Sequence, residues 1–133
     1  MFLLDTNIIL RYIIGDGGQL FERATDIFKK LRVSEIQAEL PIYIITEIVF
    51  VLEKYYSVPT DIIIHHLEKI FDIPWVIVPE QQQIIQALHI YFSEKIDLAD
   101  ALLVAFAKVY DREILSFDKK LNKLAWNKNI PST

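Results

Sequence analysis

Apolar residues along this chain fall into two kinds of run, and the two kinds alternate. Some runs are short and continuous: MFLL at the start, Trp75-Val76-Ile77-Val78 between Pro74 and Pro79, and Glu113-Ile114-Leu115-Ser116 late in the sequence. Runs of this length, ended by turn residues, read as strands, and MFLL reads as a fully buried parallel one. Others repeat at three- and four-residue spacing. From Gln19 to Arg32 the apolar set is Leu20, Phe21, Ala24, Ile27, Phe28 and Leu31, which predicts an amphipathic helix. Similar patterns predict helices over Asp61–Phe71, Glu80–Glu94 and Leu98–Tyr110, and a short final helix entered through Phe117-Asp118-Lys119-Lys120-Leu121. Leu40–Ile45 fits a strand, with Thr46 as the N-cap of a helix to Tyr56, although an apolar run of this length suits either state. Gly15-Asp16-Gly17-Gly18 and Ser57-Val58-Pro59-Thr60 mark loops. Strands separated by helices predict an α/β chain: a parallel sheet with helices on both faces.

Length and composition sharpen this picture. The 133 residues suit one domain over positions 1–133, and a hydrophobic fraction of 53% supplies its core. Mean hydropathy is +0.28, yet nothing approaches the roughly 20 uninterrupted apolar residues of a spanning helix. LADALLVAFAKVY, the longest run, carries an Asp and a Lys and is expected to be a buried core helix. No membrane association is expected. The N-terminus lacks the basic segment of a secretory signal, and with no cysteine there is no disulfide or thiolate metal site. Both suit a cytoplasmic protein.

The net charge of −4 argues against a protein that coats nucleic acid generally. It is unevenly placed. From Ala101 onward six basic residues (Lys108, Arg112, Lys119, Lys120, Lys123, Lys128) face three acidic ones, while the preceding part holds eight basic and fifteen acidic. The tail is either a solvated helical surface or a rim that meets phosphates.

Acids at element boundaries carry the candidate chemistry. Asp5 directly follows the first strand and Asp118 follows the late one, and ligand crevices in such sheets lie beyond the carboxyl ends of the strands. Each acid has an ordinary reading when taken alone. Asp5-Thr6-Asn7 and Asp118 suit helix caps, Asp97 suits an N-cap, and Glu47 complements a helix dipole. Asp100 is harder to explain this way, because it shares a helix face with Asp97 and precedes an apolar segment. Two carboxylates about 4 Å apart repel by roughly 4 kcal/mol at an effective dielectric near 20. A cluster of them requires cations or protons, and oxygen ligands favour Mg²⁺ or Mn²⁺. His65, His66 and His89 lie on amphipathic helices and are expected at the surface or in packing.

Taken in order, LLDTNIILRYI, TEIVFVLE, DLADALLVAFA and ILSFDKKL resemble the PIN-domain ribonuclease family, and within it the VapC-type toxins of VapBC toxin–antitoxin modules. The resemblance spans nearly the whole chain. It implies a parallel sheet of about five strands, the last falling after Trp126. It makes Asp5, Glu47, Asp100 and Asp118 the catalytic, metal-binding quartet for Mg²⁺ or Mn²⁺. Asp97 becomes an auxiliary acid, and Asn7 and Ser116 become polar residues that orient the carboxylates, with Ser116 in place of the commoner Thr. An RNA substrate, a cognate antitoxin protein and a homodimer are implied as partners. A different class of function is a PIN-like binding module acting through a partner, using the apolar helices Thr46–Tyr56 and Asp61–Phe71. Phosphatases with a nucleophilic Asp after strand one fit less well, because their signature needs an acid where this chain has Asn7. Receiver domains fit no better, since they pair acids early and place a Lys late.

Overall fold

The structure is a computed structural model and describes residues 1–125. Its elements run β1 (Phe2–Leu3), α1 (Thr6–Ile14), α2 (Gln19–Arg32), β2 (Ala38–Glu39), α3 (Ile42–Lys54), α4 (Thr60–Phe71), β3 (Val76–Ile77), α5 (Gln81–Glu94), α6 (Leu98–Val109) and α7 (Lys119–Ala125). The chain divides into two compact units, Met1–Pro79 and Glu80–Thr133.

The first unit is built on a parallel sheet in the order β1-β2-β3, with Phe2 beside Ala38 and Ala38 beside Val76. Parallel neighbours need crossovers, and α1–α2 and α3–α4 supply them. The α2 pattern reads out as expected. Ala24, Phe28 and Leu31 are buried, and Lys29, Lys30 and Arg32 occupy its last turn, where cations complement the helix dipole. Gly15 ends α1 in the left-handed conformation, at φ 64° and ψ 44°, and its N–H donates to the Arg11 carbonyl. Ile45, Ile48, Val49 and Leu52 of α3 join Ile63, Leu67 and Ile70 of α4 in the core.

In the second unit α5 and α6 pack closely. Ala87, Ala101 and Ala105 meet at their contact, and small side chains let the two backbones approach. Val104, Ala107, Ile114 and Leu121 form a neighbouring cluster that seats α7. The Tyr110 hydroxyl donates to Glu80 Oε2 at 2.8 Å, joining the end of α6 to the start of α5. That bond holds the Tyr110 phenol above its usual range, with burial and the Glu80 charge adding to the effect.

Several expectations need correction. Three strands are present among the described residues where about five were expected, and the one expected after Trp126 lies outside those residues. Glu113–Ser116 forms no strand. Ser116 is engaged locally instead: Asn122 Nδ2 donates to its carbonyl at 2.8 Å, and its Oγ accepts the Asp118 N–H at 2.9 Å. Leu40–Ile45 is not a strand either. Pro41 is the N-cap of α3, which begins at Ile42, and Thr46 donates to the Tyr43 carbonyl within the helix. A proline cannot continue the ladder and suits a helix start, so the apolar run resolves as helix. MFLL is parallel but not fully buried. Phe2 and Leu3 are 60% and 65% exposed, because β1 is the edge of the three-stranded sheet. Helix α6 is buried on one face only, leaving Leu103 exposed. No helix among the described residues is long and apolar enough to cross a membrane.

Candidate functional site

In the first unit, the end of β1 delivers Asp5 to the N-cap of α1 with extended backbone, at φ −85° and ψ 152°. The position is that of a cap, yet the carboxylate makes no capping hydrogen bond. The ordinary reading of Asp5 therefore leaves its side chain unexplained. The next residue, Thr6, is buried, and its hydroxyl donates to Glu47 Oε2 at 2.7 Å. Glu47 lies in the second turn of α3, which packs against α1. One hydrogen bond thus ties an acid from α3 to the residue adjoining Asp5. Sequence reasoning treated Thr6 only as a capping residue. The signal for its role is a hydroxyl beside a strand-terminal acid, which is too common to single out.

Asn7 follows in the first turn of α1 and lines a cavity of about 230 Å³ with Arg11 and Arg23. The bond that orients Glu47 comes from Thr6.

In the second unit, Asp97 occupies the N-cap position of α6 and Asp100 its first turn. Asp97 accepts the Ala101 N–H through its carbonyl at 2.9 Å, and its side chain makes no capping bond. Asp100 is half-buried, one turn before the buried Val104. Asp118 does cap: its Oδ1 accepts the Leu121 N–H at 3.0 Å at the start of α7. That leaves the other carboxylate oxygen for a second partner. Ser116 holds the Asp118 backbone, and the buried Asn122 holds Ser116. Asn122 was not singled out in the sequence, because a polar residue within KKLNKL looks solvent-facing.

The basic tail is partly structural. Lys120 Nζ donates to the Glu94 carbonyl at 3.0 Å, and the Arg112 guanidinium donates to the Tyr110 carbonyl at 2.8 Å. Lys108, Lys119 and Lys123 are exposed, and Lys128 lies outside the described residues. His65 and His89 are exposed and His66 is half-buried, as expected of surface and packing residues.

Chemically, the donors suit a hard divalent ion. They are oxygen ligands only, and Asp5 and Asp97 sit at helix starts without serving as side-chain caps. Among the described residues, however, no three His, Asp or Glu side chains lie close enough together to hold a metal ion. Asp5 and Glu47 belong to the first unit, and Asp97, Asp100 and Asp118 to the second.

A model of the PIN domain family matches residues 2–127 of the chain. No curated protein matches it.

Proposed function

Because the chain belongs to the PIN domain family, a fold that is generally a nuclease, we propose that it is a metal-dependent endoribonuclease and the toxin of a VapBC-type module. The observation that best supports this is the Thr6–Glu47 hydrogen bond beside an Asp5 whose side chain makes no capping bond. Holding an acid by a dedicated donor costs side-chain freedom and makes sense where the carboxylate has a job to do.

In this reading Asp5 and Asp100 are the central ligands of Mg²⁺ or Mn²⁺, and Glu47 and Asp118 complete the set. When bound, such ions supply a water acidified to near-neutral pKa and neutralise charge on the leaving 3′-oxygen, giving a 5′-phosphate product. The chain's own residues do the positioning. Thr6 fixes one oxygen of Glu47 and leaves the other free to turn toward an ion or its water. Ser116 and Asn122 fix the turn that presents Asp118. Asp97 adds negative charge one turn from Asp100, and Asn7 can donate to a ligand oxygen at the end of β1. Lys108, Lys119 and Lys123 draw in the RNA backbone.

Substituting Asp100→Asn removes a ligand charge with almost no change of shape. Cleavage of RNA in Mn²⁺ should fall by at least about a hundredfold while the circular-dichroism spectrum stays native. Undiminished cleavage that also survives EDTA would reject the reading.

A second reading, a binding module, has its own support. Tyr43, Phe50 and Tyr55 are exposed along α3 and beyond its end, and Ile62 is exposed on α4. Apolar surface of this kind suits an antitoxin segment or a second copy of the chain. A purified chain that binds its partner but cleaves no RNA in Mn²⁺ would favour this reading over the first.

A further inference from the structure

Helices α1, α2 and α4 line a half-open cavity of about 330 Å³ within the first unit, bordered in part by Tyr12, Phe21, Thr25, Arg32, His66 and Lys69. It shares no residue with the four carboxylates. Its volume is at the small end of ligand pockets, which suits a small molecule or the end of a chain rather than a polymer.

Four features set its chemistry. Arg32 and Lys69 bring cations from α2 and α4, and neither is in an ion pair among the described residues. Arg32 lies over the Tyr12 ring, 5.5 Å from its centroid, and also donates to the Tyr12 hydroxyl, which leaves most of its five N–H donors unused. The Thr25 hydroxyl oxygen is buried with no hydrogen-bond partner. Such groups are rarely left unpaired. His66 adds a further polar group, and burial, His65 and Lys69 all hold its pKa down, with no carboxylate acting against them. Phe21 offers an aromatic wall for a flat ring, while the Tyr12 ring is stacked on Phe28 and covered by Arg32.

We propose that this cavity binds a phosphomonoester of mononucleotide size, its phosphate held by Arg32 and Lys69, with the buried Thr25 side chain rotating to bring its hydroxyl to one oxygen. Phosphate is the better match than a carboxylate, because its three oxygens can meet three donors, two from α2 and one from α4. The phosphate can belong to a free nucleotide or to the 5′ end of a short RNA.

Calorimetric titration of the full chain in EDTA tests this with the carboxylate set kept free of metal. Adenosine monophosphate and inorganic phosphate should bind saturably, with adenosine at least about tenfold weaker than its monophosphate. Lys69→Gln, and Arg32→Gln with Lys69→Gln together, should weaken the monophosphate by about tenfold or more. Thr25→Val should weaken it several-fold without touching charge. If the double variant melts early, Lys69→Gln and Thr25→Val, each made alone, carry the test. A 5′-phosphorylated dinucleotide binding like the monophosphate assigns the site to an RNA end, and its exclusion assigns it to free nucleotide. No saturable binding of either anion up to about 10 mM, adenosine binding as tightly as its monophosphate, or unchanged affinity in the variants would overturn the proposal. None of these results bears on RNA cleavage, so the two readings stand or fall separately.

Discussion

Thr6 has the clearest single-residue role in the first unit. Among the described residues its hydroxyl is the one donor seen on Glu47, and groups that orient metal-binding carboxylates commonly matter by about 10–100-fold. Thr6→Val keeps the shape and removes the donor. RNA cleavage should drop by about tenfold or more, while stability changes by about 1 kcal/mol, since Glu47 itself is exposed. Thr6→Ser should restore most of the rate. Full activity in Thr6→Val would show that the bond positions nothing. His66 makes a prediction of the opposite kind, about pH. Its pKa is lowered by burial first and by His65 and Lys69 next, so the native state resists protonation that the unfolded chain accepts. Stability is therefore held above the ordinary pKa of 6.5 and lost as pH falls through it toward the lowered folded value. The melting temperature should fall between about pH 7.5 and about pH 5.5, and His66→Gln should flatten that fall. Equal losses in both proteins would remove His66 from the account. Neither role was legible in the sequence. A Thr beside an acid, or a His on an amphipathic helix, acquires meaning only from neighbours distant along the chain.

Helices were easier to read than strands, and the reason is local. Periodicity alone located α2, because Ala24, Phe28 and Leu31 report one buried stripe through neighbours three and four residues away. A strand depends on a partner elsewhere. Glu113–Ser116 has the composition of one, but the Ser116 carbonyl accepts from Asn122 and the Ser116 side chain accepts from the Asp118 N–H. Apolar content misled most at Leu40–Ile45, where Pro41 starts α3 rather than extending β2. Helix α5 shows a further detail that no pattern predicts. Lys95 ends it in the left-handed region, at φ 55° and ψ 43°, where glycine is the usual occupant. Lys95 is exposed, so Lys95→Gly loses little contact and relieves the Cβ clash. The denaturant midpoint should rise, by up to about 1 kcal/mol of stability. A lower midpoint would mean the conformation carries no strain.

At the scale of the whole molecule, the proposed metal set has a direct test. An ion that binds only the folded chain stabilises it by about 2.7 kcal/mol at a hundred times its dissociation constant. Mn²⁺ should raise the melting temperature of the wild-type protein, and EDTA should reverse the rise. Asp5→Asn in the first unit and Asp100→Asn in the second should each abolish it. A rise that persists in either variant would mean that the two acids do not share an ion. Of the proposed acids, Asp5, Asp100 and Asp118 do stand at helix starts as the sequence suggests, whereas Glu47 lies inside α3, because that helix begins earlier than Thr46. Their supports were not legible in the sequence, since Thr6 and Asn122 act through contacts that only folding creates.

The sheet's connectivity carries one more consequence, for how the chain reaches this state. Ala38 pairs with Phe2 on one side and Val76 on the other, and each strand among the described residues is two residues long. Each pairing closes a long loop in return for very few ladder bonds, so early sheet assembly has little to reward it. Helix pairs such as α1 with α2 and α3 with α4 need only local closure. They should gather first, and the strands should zip into place late, on a scaffold the helices have already laid down.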